Sequence, residues 1–423
     1  MPLRSVKAHY LRTRDFFTDR VGTSLDMRPV IPYGAYWVTP FAKWQGALSH
    51  LHSLEFAAHT ARDELSRHHV DVVQIDYGVL GYTVPQAGAF YGLPWTMGML
   101  GAGHVAGPTV SQACSTGAAC VAVAAAEIEC GRANVALVLT ADRVSNGPQI
   151  YYPDPLGSGG VGSAEDWVQR NFACDPLSRS SMLATAERVA SEWGIGTDEQ
   201  NEVVLRRYEQ YRDAVANDSA FLRRFMQLPF AVPDQKYAST VTTLSGDEGV
   251  YATTRESLTR LAPVISGGTV TRGGQTHPAD GNAGMIVCRA DLAAGLARDS
   301  AIEIEIVGFA TARERVGYMP AAPIPATKRL LETTRLSMAD ISVIKSHNPF
   351  IINDIVFARE MKMDVMRMNN FGCSLVWGHP QGPTALRCLI ELIEELVLKG
   401  GGYGLFQGCA AGDSAMAAIV KVH

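Results

Sequence analysis

From Tyr33 to the C-terminus, short apolar runs alternate with stretches whose apolar residues recur every three to four positions, the periods of buried strands and amphipathic helices. An amphipathic stretch over 54–65 precedes an apolar, strand-like run over 70–80 and a Gly-rich turn, and the pattern continues through 110–130 and 135–140. It returns at 283–288, 302–309 and 341–346, with a helix near 326–334, a helix over 384–398, and closing runs at 404–409 and 415–422. Strands alternating with helices predict an α/β fold built on a largely parallel sheet covered on both faces.

Residues 151–275 break the rhythm with a Gly/Pro/Tyr-rich opening, a charged helix over 197–215 and polar loops through Gly246, and read as an inserted loop domain. Residues 1–25, polar and arginine-rich, read as an N-terminal extension. The remainder divides into an N-terminal half, 26–150 with 276–298, and a C-terminal half, 299–423. Each half carries an apolar strand, a tight loop bearing a reactive side chain and an apolar helix, the plan of an internal duplication.

The 423 residues are 47% hydrophobic and 19% charged with 40 glycines, a composition that points to a compact enzyme with a large core. A net charge of -5 without a Lys/Arg block argues against nucleic acid as a partner. No apolar stretch reads as a signal core or a bilayer span, which places the expected location in the cytoplasm. The eight cysteines show no CxxC spacing, so they are expected to be thiols, with no metal site in this chain.

Four positions stand out. Val110–Gly117 reads as a strand breaking into a small-residue turn before an alanine-rich helix, which puts Cys114 near a helix N-terminus. There, partial positive charge and free amides lower a thiol pKa and cradle an oxyanion. His379 sits in a Gly-His-Pro turn before the helix over 384–398, His347 follows the run 341–346, and Cys409 sits in the small-residue segment Gln407–Asp413 between two strand-like runs. Each has a plainer reading: a buried thiol beside Cys120, a solvated or capping histidine, a turn filler. Two cysteines and two histidines, all in loops at strand ends, are less easily assigned to structure alone.

These residues resemble the thiolase family. Gln112-Ala113-Cys114-Ser115-Thr116-Gly117 is similar to its nucleophile turn and Ala141-Asp142-Arg143-Val144-Ser145 to a strand-end segment. Gly267-Gly268-Thr269-Val270-Thr271 with Asp280-Gly281 is similar to the return from its loop domain, and Gly378-His379-Pro380 and Gly404–Gly412 to its last blocks, all in family order. The resemblance implies duplicated βαβαβ halves forming an αβαβα layered core with the loop domain inserted in the first half, assembled as a homodimer or dimer of dimers. It implies an acyltransferase acting on 3-oxoacyl-CoA, with coenzyme A as substrate: Cys114 as nucleophile, His379 as its base, Cys409 as acid and base, and His347 sharing stabilisation of the enolate. Backbone amides of Cys114 and Ala411 would form an oxyanion hole, in which one donor is typically worth about 3 kcal/mol. CoA contacts are expected at Gly273, Gly274 and Thr276.

Departures from the family pattern bear on substrate. His347-Asn348-Pro349-Phe350 stands where many thiolases have Asn-Glu-Ala-Phe, Ala411 replaces a glycine, Gly249-Val250-Tyr251 stands where an arginine often meets the CoA nucleotide, and Thr276-His277-Pro278-Ala279 replaces Ser-Gly-Ile-Asn. With Trp377, Tyr151 and Tyr152 expected near the pocket, these imply an aromatic or branched substrate. The candidate is a thiolase resembling the benzoylsuccinyl-CoA type, which works with a small zinc-binding OB-fold subunit. Two other readings compete: a ketoacyl synthase or HMG-CoA synthase-like condensing enzyme, which would lack an equivalent of Cys409, and a non-catalytic acyl-CoA-binding scaffold.

Overall fold

A computed structural model describes residues 26–423; the extension expected over 1–25 lies outside the described residues. In chain order, the elements that frame the site are β1 (Pro29–Val30), α1 (Ser53–Arg67), β2 (Tyr77–Gly81), α2 (Gly92–Leu100), β3 (Thr109–Val110), α3 (Thr116–Glu129), β4 (Val135–Arg143), β5 (Ala279–Arg289) and β6 (Ile304–Arg313). They continue with α4 (Pro323–Thr334), β7 (Ile341–His347), α5 (Ile351–Glu360), α6 (Gln381–Leu398), β8 (Gly402–Ala410) and β9 (Ser414–Val422).

Buried strands show why the apolar runs are nearly continuous. Along β4, Leu137 and Leu139 pack into the core shared with α1 and α2, while Ala136 and Val138 face the core shared with α3. A strand covered on both faces has no polar side to alternate with. The sheet runs β7-β8-β9-β6-β1-β5-β4-β2-β3, with two short strands, Tyr36–Val38 and Ala42–Lys43, also paired on β5. Val30 of β1 pairs with Cys288 of β5 and with Glu305 of β6, so two residues join the halves.

Helices α3 and α6 pack on each other between the halves, α1 and α2 cover one outer side and α4 the other, giving α-β-α-β-α layers. The duplication is visible in the connectivity. In the first half β2 is parallel to β4, reached through α3, and β4 is antiparallel to β5. In the second, β7 is parallel to β8, reached through α6, and β8 is antiparallel to β9. Residues 144–278 occupy the connection that in the second half is the turn 411–413.

The largely parallel sheet expected from the alternation is corrected: parallel pairs lie within each half, but β5, β6 and β9 make antiparallel ladders. An apolar run carries no direction, and a turn as short as 411–413 can join only antiparallel strands. The run over 70–80 also divides, because Asp71 and Gln74 form a capping box that starts a 3-10 turn at Val72 before β2 begins. The charged helix extends over Thr197–Ser219, with non-helical backbone from Ala216 to Asp218. Among the described residues no helix is long and apolar enough to cross a membrane.

Candidate active site

The turn before α3 holds Cys114 by a closed set of short-range bonds. Ala113 adopts a left-handed φ of 45°, costly for a residue with a side chain. The Thr116 hydroxyl offsets this by donating to Ala113 O at 2.7 Å and accepting from Gln112 N at 2.8 Å. Ser115 Oγ donates to Gly408 O, which fastens the turn to β8 of the other half. At Gly117 the two central helices meet backbone to backbone: a Cβ there would lie 2.4 Å from Leu386 N. That contact sets Cys114 against the N-terminal turn of α6.

His379 precedes α6, and its Nε2 lies 3.2 Å from Cys114 Sγ. Its Nδ1 lies 2.7 Å from Thr384 Oγ1, whose own hydroxyl proton goes to Pro380 O. A hydroxyl donates once: with the Thr384 proton on Pro380 O, His379 Nδ1–H donates to Thr384 and Nε2 is left as a lone pair aimed at the thiol. Burial pushes the Cys114 thiol up to about 12, and the Asp142 carboxylate adds to the rise, while the amides of Ala411 and of Cys114 itself pull it down. Burial, then the neighbouring His277, pushes His379 down to about 3. The resting pair is a neutral thiol and a neutral imidazole.

His347, at the end of β7, is fully buried with its ring stacked on His379, centroids 4.2 Å apart and planes inclined by 27°. Burial, then His379, holds it well below the ordinary histidine range. Its Nδ1 meets Ser374 Oγ at 2.9 Å, and its buried Nε2 has no partner. The Ser374 proton has two acceptors in reach, His347 Nδ1 and Asn348 Oδ1. Only when it turns to His347 does Nε2 carry a hydrogen to donate.

Cys409 lies within β8, next to its end, rather than in the turn expected for it; Asn353 Nδ2 of α5 donates to its sulfur at 3.2 Å. Burial, then the Cys114 thiol, raises its pKa. Ala411 opens the turn after β8 and directs its amide at the Cys114 sulfur. The four expected side chains and the Ala411 amide are thus gathered, with Cys114, His379 and Ala411 on the wall of one cavity of about 690 Å³.

Other expected residues lie apart from this cavity or only partly on it. Trp377 is buried between Phe41 and the Arg387 guanidinium, and Tyr151 and Tyr152 are exposed on a hairpin, so none of the three lines the cavity. Thr276 does line it, its hydroxyl donating to Ser374 O, but Gly273 packs against Leu258 and Leu261 and Gly274 against Ile351, away from the wall. Val250 and Tyr251 line a separate cavity beside Tyr208 and Arg212.

Residues that sequence reasoning passed over complete the site. Thr384, Ser374 and Asn353 fix His379, His347 and Cys409. Asp142, buried at the end of β4, accepts from Thr83 N, Val84 N and Gly382 N, tying the first half to the start of α6. Cys114, His347 and His379 place one ligand atom each within 4.8 Å of one another, a spacing open to a soft cation. Nearly parallel ring planes, however, run the two imidazole lone pairs side by side instead of converging them, so these residues do not fit a shared metal without rotating one ring.

A thiol facing a lone-pair nitrogen beside aimed backbone amides can form and release a thioester. The family description "Thiolase, N-terminal domain" matches residues 35–291, and "Thiolase, C-terminal domain" matches residues 301–422. The chain belongs to the thiolase family. As a member it is an acyltransferase. It is 27% identical to the acetyl-CoA acetyltransferase of Escherichia coli (strain K12), over 90% of this chain and 96% of that one. It is 29% identical to the 3-oxoadipyl-CoA/3-oxo-5,6-dehydrosuberyl-CoA thiolase of the same organism, over 90% and 97%. In structure it is similar to human mitochondrial 3-ketoacyl-CoA thiolase, with TM-score 0.85 and 24% identity over 94% and 100% of the chains. For the same human enzyme solved in complex with CoA, the TM-score is 0.83 and the identity 25%, over 94% and 99%.

Proposed function

We propose that this thiolase cleaves a 3-oxoacyl-CoA with coenzyme A, or joins two acyl-CoA molecules in reverse, through an acyl group carried on Cys114. The observation that carries this reading is His379 Nε2, placed 3.2 Å from the Cys114 sulfur. His379 takes the thiol proton as the sulfur attacks the 3-oxo carbon, whose new oxyanion is held by the amides of Cys114 and Ala411. The bond between C2 and C3 breaks, and its electron pair becomes a thioester enolate beside His347 and His379. Cys409 protonates C2 and releases the shorter acyl-CoA. Cys409 then takes the proton of an incoming CoA thiol, which attacks the acyl group; Cys114 leaves and regains its proton from His379. A buried, neutral imidazole suits both ends of this exchange.

The acyl group is aromatic or branched, of the benzoylsuccinyl-CoA type. The cavity supports this reading through its size and its apolar wall of Trp167, Phe172, Met182, Leu183, Met319 and Phe350. The enzyme works as two or four copies in the cytoplasm together with a small zinc-binding OB-fold subunit. Exposed Tyr151, Leu156 and Val161 on the hairpin are apolar surface for an assembly to cover, and eight free cysteines suit a reducing compartment.

Mass spectrometry of the native protein tests the reading. After incubation with a panel of 3-oxoacyl-CoA thioesters, an acyl adduct on Cys114 is expected, lost in Cys114→Ala, and zinc with a small second subunit is expected in the native mass. Absence of any adduct would favour a scaffold. Carbon–carbon bond chemistry near wild type in Cys409→Ala would favour a synthase, and a fully active homomer would remove the partner.

A further inference from the structure

Arg313 ends β6 opposite Ser414 and lines the cavity that holds Cys114. Its Nε donates to Gly412 O at 3.0 Å, which leaves the terminal nitrogens of the guanidinium without a protein partner among the described residues. The neighbouring cations are spent: Arg315 pairs with Glu192 and lies over the Tyr318 ring, and Arg188 donates to Gly317 O and Ser180 Oγ. The one carboxylate on the cavity wall, Asp175, accepts from the amides of Leu177 and Ser178 and makes no ion pair with Arg313. Arg313 is an exposed residue on a cavity wall of mixed polar and apolar side chains, so its permanent positive charge is open to water and to whatever occupies the chamber. An unpaired guanidinium there favours a planar anion that can accept two parallel hydrogen bonds.

The anion can be placed. Gly412, which anchors the guanidinium, follows Ala411, and Arg313, Ala411, Gly412 and Cys114 all line the same cavity. A 3-oxoacyl group bound at Cys114 puts a carboxylate a few bonds from its carbonyls inside that cavity, whereas the phosphates of CoA are set back by the whole pantetheine arm. We propose that Arg313 is a specificity-determining residue, receiving a carboxylate carried by the 3-oxoacyl substrate, on its acyl tail or on a C2 branch, and selecting acidic 3-oxoacyl-CoA substrates over uncharged ones of equal length. The proposal rests on the reading of this cavity as the thiolysis site.

The test is thiolysis of 3-oxoadipyl-CoA and 3-oxohexanoyl-CoA, matched in chain length and differing in the terminal carboxylate, by wild type, Arg313→Gln and Arg313→Lys. Wild type is expected to show the higher kcat/KM for the acidic thioester. Arg313→Gln is expected to lower the ratio of the two values by about tenfold or more, the size of a lost charge-assisted bond, and Arg313→Lys to restore part of it. A ratio unchanged in Arg313→Gln overturns the proposal. So does a rise in KM shared by both thioesters that disappears with their pantetheine analogues, because that assigns the guanidinium to a CoA phosphate. An acyl adduct on Cys114 from 3-oxohexanoyl-CoA, together with an unchanged ratio, would sink the selectivity while leaving the thiolase reading intact.

Discussion

At the scale of single residues the site is governed by where protons can reside. In the proposed reaction His379 must be neutral to accept the Cys114 proton, and burial, then the neighbouring His277, lowers its pKa from the ordinary 6.5 to about 3. The acid limb of kcat/KM for the free enzyme is therefore expected well below 6.5, read from a pH profile with a non-ionising thioester; a limb at 6.5 would mean that water reaches the imidazole. Stability follows the same sign. Below 6.5 the unfolded chain binds a proton that the folded site refuses until about 3, so the fold loses stability as pH falls through that window. Cys114 and His379 were legible in the sequence because glycine, proline and small residues around them announce turns at helix starts. Thr384, Asn353 and Ser374 were not, since a polar side chain inside an apolar helix gives no sign of which neighbour it will meet. Trp377 misled for a related reason: an aromatic ring beside a reactive turn packs as readily into the core as into a pocket, and here Phe41 and Arg387 enclose it.

At the scale of elements, the proposed reaction depends on two helices whose N-terminal turns are pressed together. Helix α3 follows Cys114, the proposed nucleophile, and α6 follows His379, its proposed base, so the 3.2 Å contact between them is set by the distance between those helices. Gly117 permits the approach. Gly117→Ala would drive a methyl group into Leu386 N and Gly382 O, backbone atoms that cannot rotate aside. The expected cost is about 1–3 kcal/mol in urea-induced unfolding, together with a fall in kcat steeper than any rise in KM, because the pair is parted before substrate contacts are. Unchanged kcat would show that the helices slide without parting the pair. Helix positions were legible from period and breakers, and strand positions from apolar runs. Strand direction was not, because the apolar runs Ala283–Cys288 of β5 and Ala415–Val420 of β9 read the same whichever way the chain runs. Only connection length carries that information, and in the first half the connection is the 144–278 insertion.

At the scale of the whole molecule, the question is what keeps that insertion in register with the core. A buried charge network supplies one tie. Asp247 of the insertion accepts two bonds from Arg387 of α6 at 2.6 and 2.7 Å, one from Tyr211 and one from Phe41 N. Arg387 also meets Glu391 at 2.9 Å, and Glu391 meets Lys345 of β7 at 3.1 Å, all out of contact with water. The two cations and two carboxylates balance, so the cost of burying them is offset only while every member is present. Arg387→Met leaves Asp247 with no cation and Glu391 with Lys345 alone. The expected loss is about 3–5 kcal/mol in urea-induced unfolding, and Arg387→Met with Asp247→Leu is expected to recover part of it, because the orphaned charge on the insertion is removed with its partner. A double variant no more stable than the single would mean that Asp247 acts through Phe41 and Tyr211 rather than through the arginine. The same segment places Gly249 against His277, whose carbonyl accepts from His379 N at 2.9 Å, so a chain of direct contacts runs from the Asp247 segment to His379.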